Sequence, residues 1–189
     1  MLAEKIVSLA ENLRPLALIG PGGIGKTSIS LNVLHYDRIK QRFGDNRRFI
    51  RYDQFSSSCA HLPSRISEAI GVGVENPKSL TSLRQFLSQR ETPIVLDPWG
   101  VGAEKIYPVL EELSQLDNVC LCIPSRISTV PPDCETLEIP TLSIDAARDT
   151  FYRTYKNAGQ PELVDDILDE LDFHSLFITL FVTVGHQNK

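Results

Sequence analysis

Gly20-Pro21-Gly22-Gly23-Ile24-Gly25-Lys26-Thr27 constrains this chain more than any other stretch, and the apolar run Leu16-Ala17-Leu18-Ile19 precedes it directly. Two glycines five apart, followed by Lys and Thr, fit the loop that cradles a di- or triphosphate between a strand and a helix. Turning backbone N–H groups inward around an oxyanion requires residues that tolerate positive φ, and Gly20, Gly22, Gly23 and Gly25 supply them. Lys26 is then expected to set its ammonium against the terminal phosphates and Thr27 to offer its hydroxyl to Mg²⁺. The following helix, with Ser28 in its first turn, points its positive end at the same anion. Ile29, Val33 and Leu34 continue that helical pattern.

The rest of the chain supplies the strands and helices such a loop needs. Leu2, Ile6, Leu9 and Leu13 recur at helical spacing ahead of Pro15. Thr27 to about Phe43 reads as a single helix, stopped by Gly44-Asp45-Asn46. Arg48 to Tyr52 alternates as a strand does, and a polar stretch from Asp53 to Ser58 follows. Leu62 to Ile70 and Leu80 to Gln89 read as helices around a loop over Gly71 to Pro77. Pro93-Ile94-Val95-Leu96-Asp97 is a continuous apolar run closed by an acid, as expected of a strand covered on both faces. Ile106, Leu110 and Leu113 mark a helix with Pro108 in its first turn or at a kink. Val119 to Ile123 is another buried strand and Leu137 to Ile139 a short last one.

From Ser143, a fitting helix cap, the pattern is helical only: Ile144 to Tyr155, Glu162 to Leu171 and Leu176 to Val184. The expected class is therefore α/β, a three-layer P-loop NTPase sandwich with a parallel sheet over residues 1–141. The start of a helical subdomain occupies 142–189.

Composition narrows the partners. A net charge of −5 over 189 residues argues against nucleic acid, whose backbone rewards excess Lys and Arg. Leu176 to Val184 is far shorter than the roughly 20 apolar residues that span a bilayer, and no targeting segment opens the chain, so a cytoplasmic protein off the membrane is expected. Cys59, Cys120, Cys122 and Cys134 lack zinc spacing and read as reduced thiols, with Cys120 and Cys122 on one face of a strand.

Two further residues complete the candidate site. Asp97, at the end of a buried strand, is placed to hold Mg²⁺ beside the loop, and Arg126, just past the next strand, to reach the terminal phosphate.

With Gly20 to Thr27, the strand ending at Asp97 and Cys120-Leu121-Cys122-Ile123-Pro124-Ser125-Arg126, the chain resembles the Walker A, Walker B and sensor-arginine segments of signal-transduction NTPases of the STAND class. The nearest likeness is to NB-ARC-like nucleotide-binding domains of fungal NOD-like receptors, here in a truncated form. Leu142 to Phe151 is similar to the opening of their small helical subdomain. The resemblance implies a five-stranded parallel sheet in which the strand carrying Arg126 lies between those carrying the loop and Asp97. It also implies an ADP/ATP switch whose ATP state favours self-association through the NTPase domain.

The departures bear on turnover. Relatives begin upstream with a segment covering the adenine and continue into winged-helix, repeat or effector regions, and neither is present here. Pro98-Trp99-Gly100 follow Asp97 where the family carries a second acid or amide and a spacer; Pro98 cannot accept a proton. In Leu171-Asp172-Phe173-His174-Ser175-Leu176, Ser175 occupies the place of a proline that contacts adenine. His61, His174 and Glu104 are distant candidates for a base. A module binding ATP or ADP, at most a slow ATPase, is the expected function. The alternatives are an active ATPase or phosphotransferase, and a relative that has lost nucleotide and serves only as an interaction domain.

Overall fold

The structure, a computed structural model, describes residues 2–53, 62–71, 80–99, 103–126, 130–155 and 161–187. The polar stretch after Asp53, most of the loop after Gly71, Cys59 and His61 lie outside them.

The apolar runs of the central strands are covered on both faces, whereas the edge strands alternate buried and exposed residues. β1 (Leu16–Ile19), β2 (Arg48–Asp53), β3 (Thr92–Trp99), β4 (Val119–Ser125) and β5 (Glu135–Glu138) form one parallel sheet in the order β2-β3-β4-β1-β5. The strand carrying Arg126 at its end thus lies between the strands leading to the loop and to Asp97, as the resemblance implies. Central β4 is buried at every position. Its Val119, Leu121 and Ile123 join a core with Leu62, Ile66 and Ile70 of α4 (Leu62–Ile70), Leu83 and Leu87 of α5 (Leu80–Leu87), and Ile106, Leu110 and Leu113 of α6 (Ala103–Ser114). Cys120 and Cys122 point the other way. They line a small apolar cavity with Ile6 and Ala10 of α1 (Leu2–Glu11) and Val33 and Leu34 of α2 (Lys26–Leu34). Helices on both faces of a parallel sheet make the three layers expected of this class.

Several boundaries differ from the sequence pattern, among them those of α2 and β3. The helix expected from Thr27 to Phe43 is two, α2 and α3 (Asp37–Phe43), with Tyr36 extended between them at ψ 140°. At 3.6 residues per turn, a straight helix would set Ile39 about 140° and Phe43 about 180° around from Leu34. Breaking at Tyr36 lets all three be buried. The Arg47 guanidinium donates to the Leu34 carbonyl, satisfying an acceptor that α2 leaves open at its end. β3 also runs past Asp97 to Trp99, because β2 continues alongside it and pairs Tyr52 with Pro98 and Asp53 with Trp99. Pro108 lies inside α6 rather than in its first turn.

Contacts divide the chain into two compact units: Met1–Ile19 with Lys26–Glu138, and Gly20–Gly25 with Ile139–Lys189. The second contains α7 (Ile144–Thr154), α8 (Pro161–Glu170) and α9 (Ser175–Gln187). The Ser143 hydroxyl accepts from the Ala146 N–H at 3.3 Å, the cap expected for α7. Ala147, Phe151, Val164, Leu168, Ile178 and Val182 form the core of this unit. The turn from α8 into α9 takes Asp172 and Phe173 through positive φ, and the Phe173 N–H reaches back to the Leu168 carbonyl at 3.0 Å. Among the described residues no helix is long and apolar enough to cross a membrane.

Candidate functional site

In the sheet unit, α2 starts at Lys26 at the point where the chain leaves the glycine-rich loop. The Thr27 hydroxyl, one residue on, donates to Asp97 Oδ2 at 3.0 Å, joining residues 70 apart in the chain. Asp97 is only 5% exposed, so a lone carboxylate there would be costly without such a partner. Lys26 is also buried, at 8% exposure. Desolvation holds its ammonium below the ordinary lysine range; the Arg126 guanidinium lowers it further and the Asp97 carboxylate pulls it back up. Lys26, Asp97 and Arg126 therefore share one electrostatic neighbourhood. Arg126 and Ser28 are exposed. One turn into α2, the Ser30 hydroxyl donates to the Lys26 carbonyl at 2.9 Å.

The donors in this group are of types that can hold phosphate and Mg²⁺. A hydroxyl and a carboxylate at 3.0 Å are hard oxygen donors of the kind Mg²⁺ takes. Among the described residues no group of three or more His, Cys, Asp and Glu could hold a metal by itself. An anion arriving beside a buried cation such as Lys26 would offset the desolvation that lowers its basicity.

The loop itself, Gly20 to Gly25, belongs to the helical unit. Gly23 has φ +82° and Gly25 +108°, conformations that side chains rarely adopt. The two glycines answer different needs. A Cβ on Gly25 would meet nothing within 4 Å, so its φ alone requires glycine. A Cβ on Gly23 would fall 2.5 Å from Leu176 Cδ2 and 2.6 Å from Leu176 Cβ, so close approach requires it as well. Ile24 is buried, while Pro21 is exposed and Gly22 half-buried.

Sequence reasoning did not foresee the role of Ser175. Its hydroxyl donates to the Gly23 carbonyl at 2.6 Å, a bond proline could not make. Nothing in local pattern pairs residues 152 apart. Of the distant base candidates, His174 is 6% exposed and stacked on Phe177 at 4.3 Å between ring centroids. Its Nδ1 finds no hydrogen-bond partner among the described residues. His61 and the side chain of Glu104 lie outside what the structure describes.

No family model and no curated protein matches the chain. Solved structures do. A Signal Transduction ATPase with Numerous Domains (STAND) protein with a tetratricopeptide repeat sensor, from Pyrococcus horikoshii, is similar at TM-score 0.62 and 14% identity, over 95% of this chain and 29% of that one. A chain in the structure of Drosophila ORC bound to DNA is similar at TM-score 0.62 and 12% identity, over 98% of this chain and 55% of that one. This chain thus spans less than two thirds of either. The fold is that of a P-loop NTPase.

Proposed function

We propose that the chain is the nucleotide-binding regulatory module of a STAND-type signalling NTPase, NB-ARC-like as in fungal NOD-like receptors, holding ADP or ATP with Mg²⁺. The observation that carries this reading is the 3.0 Å contact between Thr27 and Asp97. It joins the two residues to which the loop pattern and the buried strand separately assigned the metal. In this reading the backbone of Gly20, Pro21, Gly22, Gly23, Ile24 and Gly25 surrounds the phosphates. Lys26 neutralises them, Ser28 borders them from the first turn of α2, and Arg126 meets the terminal phosphate. Thr27 and Asp97 hold Mg²⁺, which when bound draws charge from the phosphate oxygens. Residues 1–141 form the NTPase core and 142–189 the opening of a helical subdomain.

Hydrolysis is weak or absent in this account, because Pro98 follows Asp97 where a proton acceptor would activate water. ADP then marks the resting state, and ATP favours self-association of the cytoplasmic protein. Nucleic acid is no partner, on the net charge of −5. The test is to purify the protein, denature it, identify the released nucleotide and follow phosphate release. ADP or ATP near one per chain with slow release supports the reading. Protein that emerges empty and takes up no labelled ADP with Mg²⁺ contradicts it, and rapid turnover points instead to an active ATPase.

A further inference from the structure

The α9 helix begins with a serine whose hydroxyl serves the loop. Ser175 stands one residue past the cap position, where the His174 carbonyl accepts from the Ile178 N–H at 3.0 Å, so its hydroxyl is not the N-cap of the helix. Ser175 Oγ instead donates to the Gly23 carbonyl at 2.6 Å, while Leu176, the next residue, packs where a Gly23 side chain would have been. Further along α9, Ile178 and Val182 are buried in the helical core with Phe151 and Leu168. One end of α9 is therefore anchored in that core and the other grips the loop.

The consequence follows from peptide geometry. Among the described residues no peptide bond is cis, so the Gly23 carbonyl and the Ile24 N–H point in opposite directions across one rigid plane. A bond that fixes the carbonyl toward α9 fixes the Ile24 N–H away from it. At φ +82° Gly23 has no side chain to hold this plane, so an outside partner must.

We propose that Ser175 is a positioning residue for the glycine-rich loop: through the Gly23 carbonyl it sets the Gly23–Ile24 peptide in advance of ligand and ties loop order to the helical core. The contact stands on its own geometry; its effect on nucleotide affinity rests on the function proposed above. Because linkage is reciprocal, a nucleotide that orders the loop strengthens the hold on α9 by the same factor.

The experiment compares wild type, Ser175→Ala and Ser175→Thr as full chains stripped of nucleotide, by ¹⁵N relaxation, and then titrates each with ADP and Mg²⁺. In the alanine variant the order parameters of the Ile24 and Gly25 amides are expected to fall from about 0.85 to below about 0.6, with Ile178 and Val182 unchanged. ADP affinity falls two- to tenfold, the equivalent of one hydrogen bond. Threonine, which keeps the hydroxyl, restores both. Wild-type loop order in the alanine variant overturns the proposal whatever ADP does, and so does a loosened loop with unchanged affinity. If the loop loosens and no protein binds ADP, the positioning role stands and the proposed function falls.

Discussion

The sheet unit and the helical unit bury apolar surface on different scales. Among the described residues, the main sheet core joins eighteen buried side chains from four strands, three helices and Cys134, whereas the helical core has six from three helices. The sheet unit has β4 buried at all seven positions; α9 leaves Leu176, Phe177, Leu180, Phe181 and Val184 between 40% and 56% exposed. The difference separates two tasks. Thr27 and Asp97 are held by a scaffold that large burial makes rigid, and the loop at Gly23 is held by a smaller core nearer the margin of stability, where local opening is cheapest.

The largest expected effect exploits that margin. Phe151 packs edge-on to Tyr152 and Tyr155, at 5.7 and 6.1 Å between centroids. Phe151→Ala should cost the helical unit about 3–5 kcal/mol, enough to melt residues 139–187 while hydrogen exchange still protects the strands. Loss of both units in one transition would break the comparison. Next, Lys26→Ala should lower ADP affinity roughly tenfold to a hundredfold, the worth of a hydrogen bond to a charged group, with little change in melting of the nucleotide-free protein. Unaltered affinity by calorimetry would remove Lys26 from the site.

A smaller effect separates the units by acid. Arg148 bonds Asp165 through two nitrogens, Nε at 2.7 Å and Nη2 at 2.5 Å, joining α7 to α8. That pair holds the Asp165 carboxyl below the usual range, chiefly through the hydrogen bonds. A depressed carboxyl stabilises the fold above its unfolded pKa of about 3.9 and loses that contribution as pH falls through the lower folded value. The helical unit should therefore weaken selectively below about pH 4, seen as faster exchange in residues 139–187, and Asp165→Asn should abolish that acid step. The smallest effect is chemical. Burial pushes the Cys122 thiol up to about 12, and that of Cys120 well up also, so both stay protonated at neutral pH. Neither should be alkylated in the native protein; labelling found by mass spectrometry before unfolding would show that the sheet unit opens as readily as the helical one.

Much of the fold was legible where a local signal sufficed. Apolar runs marked the strands ending at Ile19, Asp97 and Ile123, alternation marked the one from Arg48, and Ser143 marked the start of α7. The strand order came from the resemblance, since no local pattern states which strands are neighbours. The break at Tyr36 escaped because it carries neither glycine nor proline; only the disagreement of Leu34 with Ile39 and Phe43 around a straight helix betrays it. Asp97 and Thr27 were each legible as candidates by residue type and position, and their meeting needed the sheet. Ser175 read as a departure because its role depends on a partner 152 residues away.

The most direct test is a calorimetric titration of ADP into stripped wild type and Asp97→Asn, each with and without Mg²⁺. Asparagine keeps an oxygen for the Thr27 hydroxyl but loses the charge an ion requires. The account predicts binding by wild type that Mg²⁺ strengthens, and binding by the variant that Mg²⁺ leaves unchanged. No binding by wild type, or equal Mg²⁺ dependence in both, would contradict it.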